Sequence, residues 1–184
     1  QLPGLADSCQ QAALRGWTWL QHNPNVLYDQ DRINQLTLPK VVTGAYGDQD
    51  VSDEWVWAAA ELAVLMQDQK YLIGKDLEKS FVLPSWNQVR GLGYYTLIRS
   101  EFMQKQNPAL VASLTEKVKS SAGTLIGKIN EQPFHTAMGS GERDYIWGSN
   151  AVAANQGILL LQAYLRTQDR SFLNAALGNL DYIL

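Results

Sequence analysis

The stretch from Thr43 to Met66, TGAYGDQDVSDEWVWAAAELAVLM, decides how this chain is read. A glycine-containing aromatic loop, Tyr46-Gly47-Asp48, runs into an acidic helix start and then into a helix with almost no charge. Asp50, Ser52 and Asp53 are residue types that cap helices, and Glu54 falls in the first turn, where the helix dipole favours a carboxylate. A helix is therefore predicted to begin between Val51 and Trp55. From Trp55 to Met66 the only charge is Glu61, so protein must cover both faces; a surface helix would carry a polar stripe.

The same design returns at Ile146, where IWGSNAVAANQGILLLQAYL again sets an aromatic and a short polar turn before a helix. No charge occurs between Ser149 and Leu165. A membrane span is the rival reading, but Asn150, Asn155, Gln156 and Gln162 interrupt the run, which falls short of the roughly 20 apolar residues a bilayer requires. A buried helix fits better. Both helices close alike: Asp68-Gln69-Lys70-Tyr71-Leu72 matches Asp169-Arg170-Ser171-Phe172-Leu173 in spacing and in its aromatic-leucine ending. This weak internal repeat predicts stacked αα-hairpins.

Working outward, a first helix is predicted from Leu5 to Gln21, carrying Trp17 and Trp19 and stopping before Asn23-Pro24-Asn25. A loop follows to Asp50, then the acidic helix to Gln67 and a shorter one from Lys70 to Lys79. After Leu83-Pro84-Ser85 a helix runs from Trp86 to Lys105. Gly91 and Gly93 inside it predict close helix contact, since glycine otherwise weakens a helix by about 1 kcal/mol. Asn107-Pro108 opens the next helix, with proline at its favoured first position, and it continues to Glu131. The loop from Gln132 to Trp147 precedes helices Ser149 to Arg166 and Asp169 to Ile183. No alternating strand pattern occurs, so the chain reads as all-α, one helical domain over residues 1–184 without a linker.

Composition agrees. With 46% hydrophobic and 18% charged residues, 184 residues bury a respectable core. The balance of 15 basic and 18 acidic residues, net −3, offers no basic stripe for nucleic acid and no polybasic patch for a membrane. Cys9 is the single cysteine, which excludes a disulfide framework and a cysteine metal cluster. Gln1-Leu2-Pro3-Gly4 does not read as a signal peptide, which for an internal segment says little about export.

Taken together, YGDQDVSDEWVWAAAEL (46–62), PSWNQVRGLGYYTL (84–97), WGSNAVAANQGILLLQAY (147–164) and the closing FLNAALGNLDYIL (172–184) resemble the second half of a glycoside hydrolase family 9 catalytic domain, the family of many cellulases. SCQQAALRGWTWLQHNPN, from Ser8 to Asn25, is similar to the family helix that precedes the acidic motif. The resemblance implies αα-hairpins forming part of an (α/α)6 barrel, which hydrolyses β-linked glucan-type chains with inversion. It implies a secreted or periplasmic protein.

An inverting glycosidase needs two carboxylates with room between them for a water. The family's Asp-Ala-Gly-Asp motif belongs before Gln1, and its histidine loop and acid glutamate after Leu184, so neither catalytic carboxylate is expected here. The chain then reads as a piece of a longer domain: inactive alone, completed by the remainder of that domain, and inclined to self-associate through the surface left open.

The resemblance instead assigns substrate contact to aromatics. Sugar rings present apolar faces that stack on flat side chains, and Tyr46, Trp86 and Trp147 occupy motif positions that line substrate subsites in the family. Trp17, Trp19, Trp55 and Trp57 lie inside helices and read as core. Where many relatives follow Trp-Gly-Ser with an Arg-Tyr pair, this chain has Ala151 and Val152, so those contacts do not carry over. No cofactor is expected. Some relatives bind calcium at the motif matching Asp53-Glu54 with an aspartate after the second aromatic, but Asn87 and Gln88 follow Trp86, and capping explains the acidic cluster better. His135, near Glu142, Arg143 and Asp144, lacks a second metal ligand and reads as a solvated loop residue. The competing class is a non-catalytic binding or interaction module resembling a short α-solenoid, in which Trp86 and Trp147 would be buried anchors.

Overall fold

The computed structural model describes residues 2–45, 47–139, 141–142 and 144–184. It divides into two compact units, Gln1–Val51 and Ser52–Leu184.

In the first unit α1 spans Leu5–His22 and ends as Asn23-Pro24-Asn25 predicts. The His22 ring pairs with the Thr18 carbonyl at 2.7 Å, and the Asn23 amide donates to the Trp19 carbonyl at 2.8 Å. Trp17 is buried, but Trp19, also expected in the core, is 52% exposed. Two positions on a helix differ by about 200°, so both indoles cannot face one way. The predicted loop contains a short helix, α2 (Gln30–Leu36), opened by Asp29, whose carboxylate accepts the Arg32 N–H. Asn34 then holds the Val41 backbone through both its N–H and its C=O.

The second unit begins with α3 (Ser52–Leu65). Only a 3-10 turn, Gln69–Leu72, stands where a helix to Lys79 is predicted, because Gly74 takes a left-handed φ of 73° directly after it. The helix expected from Trp86 to Lys105 starts late and breaks. Residues 85–88 close a tight turn instead, α4 runs Arg90–Arg99, and the Ser100 hydroxyl accepts the Met103 N–H to restart the chain as α5 (Glu101–Gln106). Asn107 and Pro108 open α6 (Pro108–Ile126), which stops at Gly127. After a 3-10 turn at Ile129–Glu131, α7 (Ser149–Thr167) and α8 (Arg170–Ile183) form a hairpin. Among the described residues no strand occurs.

The internal repeat has a local cause. Gln67 and Gln168 both adopt left-handed conformations, with φ of 50° and 60°, and each precedes an aspartate that caps by accepting the N–H two residues on. Asp169 launches a full helix, whereas Asp68 launches one turn that Gly74 ends.

α3 packs on α4, and α7 on α6 and α8. The first contact is closest at Gly93, where an added Cβ would lie 3.0 Å from the Trp57 Cα and 3.3 Å from the Val56 carbonyl, as the glycine pattern predicts. Glu61, the lone charge of α3, accepts from the Trp57 indole at 2.9 Å and the Thr96 hydroxyl at 2.6 Å, and Trp57 turns outward rather than into the core. On α7 one face is buried through Ala153, Leu159, Leu160 and Ala163. The other leaves Ile158, Leu161 and Leu165 exposed within this chain, and Ile158 and Leu161 border a groove of about 240 Å³ with Leu177 and Leu180 of α8. Among the described residues no helix is long and apolar enough to cross a membrane.

Gly93→Ala tests the α3–α4 contact. Alanine gains helix propensity, about 1 kcal/mol, but its methyl meets backbone that cannot rotate away. The expected result is a net loss of about 1–3 kcal/mol, read as a lower denaturation midpoint; an unchanged or higher midpoint would show that α3 moves aside freely.

Candidate functional site

Trp86 stands at the corner of the 85–88 turn and is 63% exposed. Ser85 N–H donates to the Gln88 carbonyl at 2.9 Å, and Ser85 Oγ to Asn87 Oδ1 at 3.0 Å. Two side chains from distant helices fasten the ends of this turn. Asp53, in the first turn of α3 and 4% exposed, accepts the Val89 N–H at 2.6 Å. Asn155 of α7 donates from Nδ2 to the Pro84 carbonyl at 2.9 Å. The next residue, Arg90, is buried and donates to the Asp76 carbonyl and, at 3.2 Å, to Ser52 Oγ. The exposed indole therefore rides on backbone tied to α3 and α7.

Trp147 is 93% exposed and precedes Gly148, which takes φ 81° to start α7. That conformation strains any residue with a Cβ. A buried polar network holds the loop before it. Asp144 Oδ2 accepts the N–H groups of Gly139 and Gly141, at 2.9 and 3.1 Å, while Oδ1 accepts from Gln156 Nε2 at 3.3 Å. Gln156 Oε1 in turn accepts from Asn179 Nδ2 at 3.0 Å. Asn179, 1% exposed on α8, also donates to the Ala153 carbonyl at 3.0 Å and accepts the Ala137 N–H at 2.8 Å. Charge-assisted bonds of this kind are stronger than neutral ones, and burial makes each costly to lose. Phe134 and Tyr145 of the same loop are also exposed.

Tyr46 lies outside the described residues, as do Ser140 and Arg143. The neighbours of Tyr46, Ala45 and Gly47, border a cleft of about 530 Å³ in the first unit together with Tyr28, Asp29 and Arg32. His135 is exposed with a left-handed φ of 51°, and the nearby Asp144 is committed to amide protons. Among the described residues no three His, Cys, Asp or Glu side chains gather to hold a metal. Burial pushes the Tyr95 phenol above its ordinary pKa; its ring lies 5.5 Å from Phe81, in the core. Trp86 and Trp147 are thus exposed indoles next to backbone held by hydrogen bonds from other helices. Neither is buried as an anchor.

The sequence reading did not find Asn179 or the role of Asp144. Asn179 does leave a trace: it completes the buried stripe Phe172, Ala175, Ala176, Asn179, where helical spacing calls for an apolar residue.

The family model for Glycosyl hydrolase family 9 matches residues 2–184. A xyloglucan-specific endo-β-1,4-glucanase from Bacteroides ovatus is 30% identical over 99% of this chain and 32% of its own length. Endoglucanase D from Acetivibrio thermocellus is 28% identical over 98% of the chain and 28% of its length. A solved Bacteroides ovatus family 9 structure superposes with a TM-score of 0.88 at 31% identity, over 98% of this chain and 34% of that one. The chain thus spans 28% to 34% of the length of these three relatives.

Asn179→Ala would remove the bonds its amide makes to the Ala137 N–H, the Ala153 carbonyl and Gln156 Oε1. With Gln156 Oε1 losing its donor at about 1–3 kcal/mol and the other two bonds contributing about 1 kcal/mol each, a loss of about 2 kcal/mol or more is expected in chemical denaturation. Hydrogen exchange at the Gly139 and Gly141 amides should accelerate with it. A loss below about 1 kcal/mol would show that the network contributes little.

Proposed function

Since the chain belongs to glycosyl hydrolase family 9 and its hairpins are part of an (α/α)6 barrel, we propose that it forms the glucan-binding wall of a longer inverting glycoside hydrolase acting on β-1,4-linked glucan chains. The observation that carries this reading is the pair of exposed indoles, Trp86 and Trp147, each shortly before a helix and each beside backbone held by hydrogen bonds from other helices. Tyr46 is the third stacking residue of the proposal, by its motif position. Flat aromatic faces bury the axial C–H face of glucose units without fixing a single register, which suits a polymer that must slide. No catalytic residue is assigned to this chain; the two carboxylates of an inverting mechanism come from the remainder of the domain. Calcium at Asp53 and Glu54 is not part of this proposal, since Asn87 and Gln88 follow Trp86 where calcium-binding relatives carry an aspartate. The protein acts outside the cytoplasm, where polymeric glucan is met. The xyloglucan-specific name of the Bacteroides ovatus relative makes a branched β-1,4-glucan the first substrate to test.

The groove bordered by Ile158, Leu161, Leu177 and Leu180 is covered, in this proposal, by helices of the same domain beyond this chain. Contiguous apolar surface of this kind favours association when left open.

Three outcomes follow. Trp86→Ala or Trp147→Ala in the intact enzyme should raise KM on xyloglucan or cellohexaose about tenfold, with a small change in melting temperature; unchanged KM for both would end the stacking reading. The 184-residue chain alone should show no hydrolysis of either substrate, and turnover abolished by Asp53→Asn would move catalysis into the acidic motif. Light scattering on that chain should show dimers or larger species that Leu177→Glu reduces; a monomer at high concentration would mean the groove needs no cover.

A further inference from the structure

Asn155 and Gln156 interrupt an otherwise apolar stretch of α7, and as neighbours they point about 100° apart around the helix axis. Each side-chain amide donates to a different loop. Asn155 Nδ2 reaches the Pro84 carbonyl at 2.9 Å, at the foot of the turn that carries Trp86. Gln156 Nε2 reaches Asp144 Oδ1 at 3.3 Å, in the loop that ends on Trp147. The first bond spans 71 residues and the second 12, so one helical position joins segments that the chain keeps far apart. Pro84 is the only partner of the Asn155 amide among the described residues. Asparagine is a poor helix former in a helix interior, so local stability does not account for it.

We propose that Asn155 and Gln156 are positioning residues that fix the two indole faces relative to each other, and so set the spacing of sugar units that the wall accepts. The inference rests on the reading of Trp86 and Trp147 as sugar-stacking residues. Because both bonds start from consecutive residues of one rigid helix, they tie the two loops to a common frame, to which Asp53 at Val89 and Asn179 at Ala137 add a second hold on each. Trp147 is fixed a second time by chain continuity, since Gly148 opens the same helix. Gln156 also accepts from Asn179, which locks its amide orientation so that Nε2 faces Asp144. Among the described residues Asn155 has no such lock, and the turn it serves is fastened at its other end by Asp53, which accepts the Val89 N–H.

Double-mutant cycles on the intact protein, with cellohexaose and a xyloglucan oligosaccharide as probes, test this. Asn155→Ala and Gln156→Met should each weaken binding about fivefold, the equivalent of one net hydrogen bond. Coupling should be pairwise: in a Trp86→Ala background Asn155→Ala should cost no further affinity while Gln156→Met still does, and in a Trp147→Ala background the reverse. Melting temperatures measured alongside record the structural loss, which should be the same in every background. Should Gln156→Met fail to fold, Asp144→Asn loosens the same loop by replacing the oxygen that Gly139 and Gly141 donate to. If the loss from Asn155→Ala carries undiminished into the Trp86→Ala background, the positioning role is overturned while the stacking reading stands. If neither tryptophan substitution changes affinity, both fall.

Discussion

A buried amide, Asn179, sits where α7 and α8 press together, and the order of the second unit follows from satisfying it. Its side chain can donate twice and accept, and it does so with the Ala153 carbonyl, Gln156 Oε1 and the Ala137 N–H. An apolar residue there would let the two helices slide or rotate at small cost. The amide admits one register, because any other leaves polar atoms dry and unpaired. From that register Gln156 is aimed at Asp144, and Asp144 gathers the amides of Gly139 and Gly141. The loop before Trp147 is thereby held at Ala137, Gly139, Gly141 and Asp144.

The Trp86 turn is organised by the same means from the other side. Asp53 opens α3 and, instead of serving only its own helix end, spans 36 residues to the Val89 N–H. Arg90 begins α4 with its guanidinium on Ser52 Oγ and the Asp76 carbonyl. The two helix starts therefore meet, and the close approach of α3 and α4 continues down to Gly93, where the absence of a Cβ lets backbone meet backbone. Charged groups buried at these junctions are tolerated because each finds oriented hydrogen-bond partners, and their cost is offset by the fixed geometry they give the turn.

Much of this was legible in the chain itself. Asn107-Pro108, Asp169 and the Asn23-Pro24-Asn25 stop set helix boundaries to within a residue or two, since capping and proline act through adjacent backbone. The uncharged runs identified α3 and α7, and the motifs identified the family; of the two glycines expected at a helix contact, Gly93 meets α3, whereas Gly91 meets Phe81 and the Val82 carbonyl outside any helix. Misreadings arose where a single local signal outranked periodicity. Gly74 stopped a helix, Ser100 broke one, and the 85–88 turn consumed residues that otherwise continue α4.

By itself, the sequence determined that this protein is helical, where α1, α3, α7 and α8 begin and end, and that Trp86 and Trp147 stand ahead of helices. Those properties depend on neighbours within a turn or two. Only the tertiary structure decided which polar residues of α7 and α8 face inward together, that Asp53 serves the Trp86 turn and that Asn155 and Gln156 serve two separate loops. Hydrogen bonds that close over 36 or 71 residues leave no periodic trace in a chain, because their partners become neighbours only after the helices have packed.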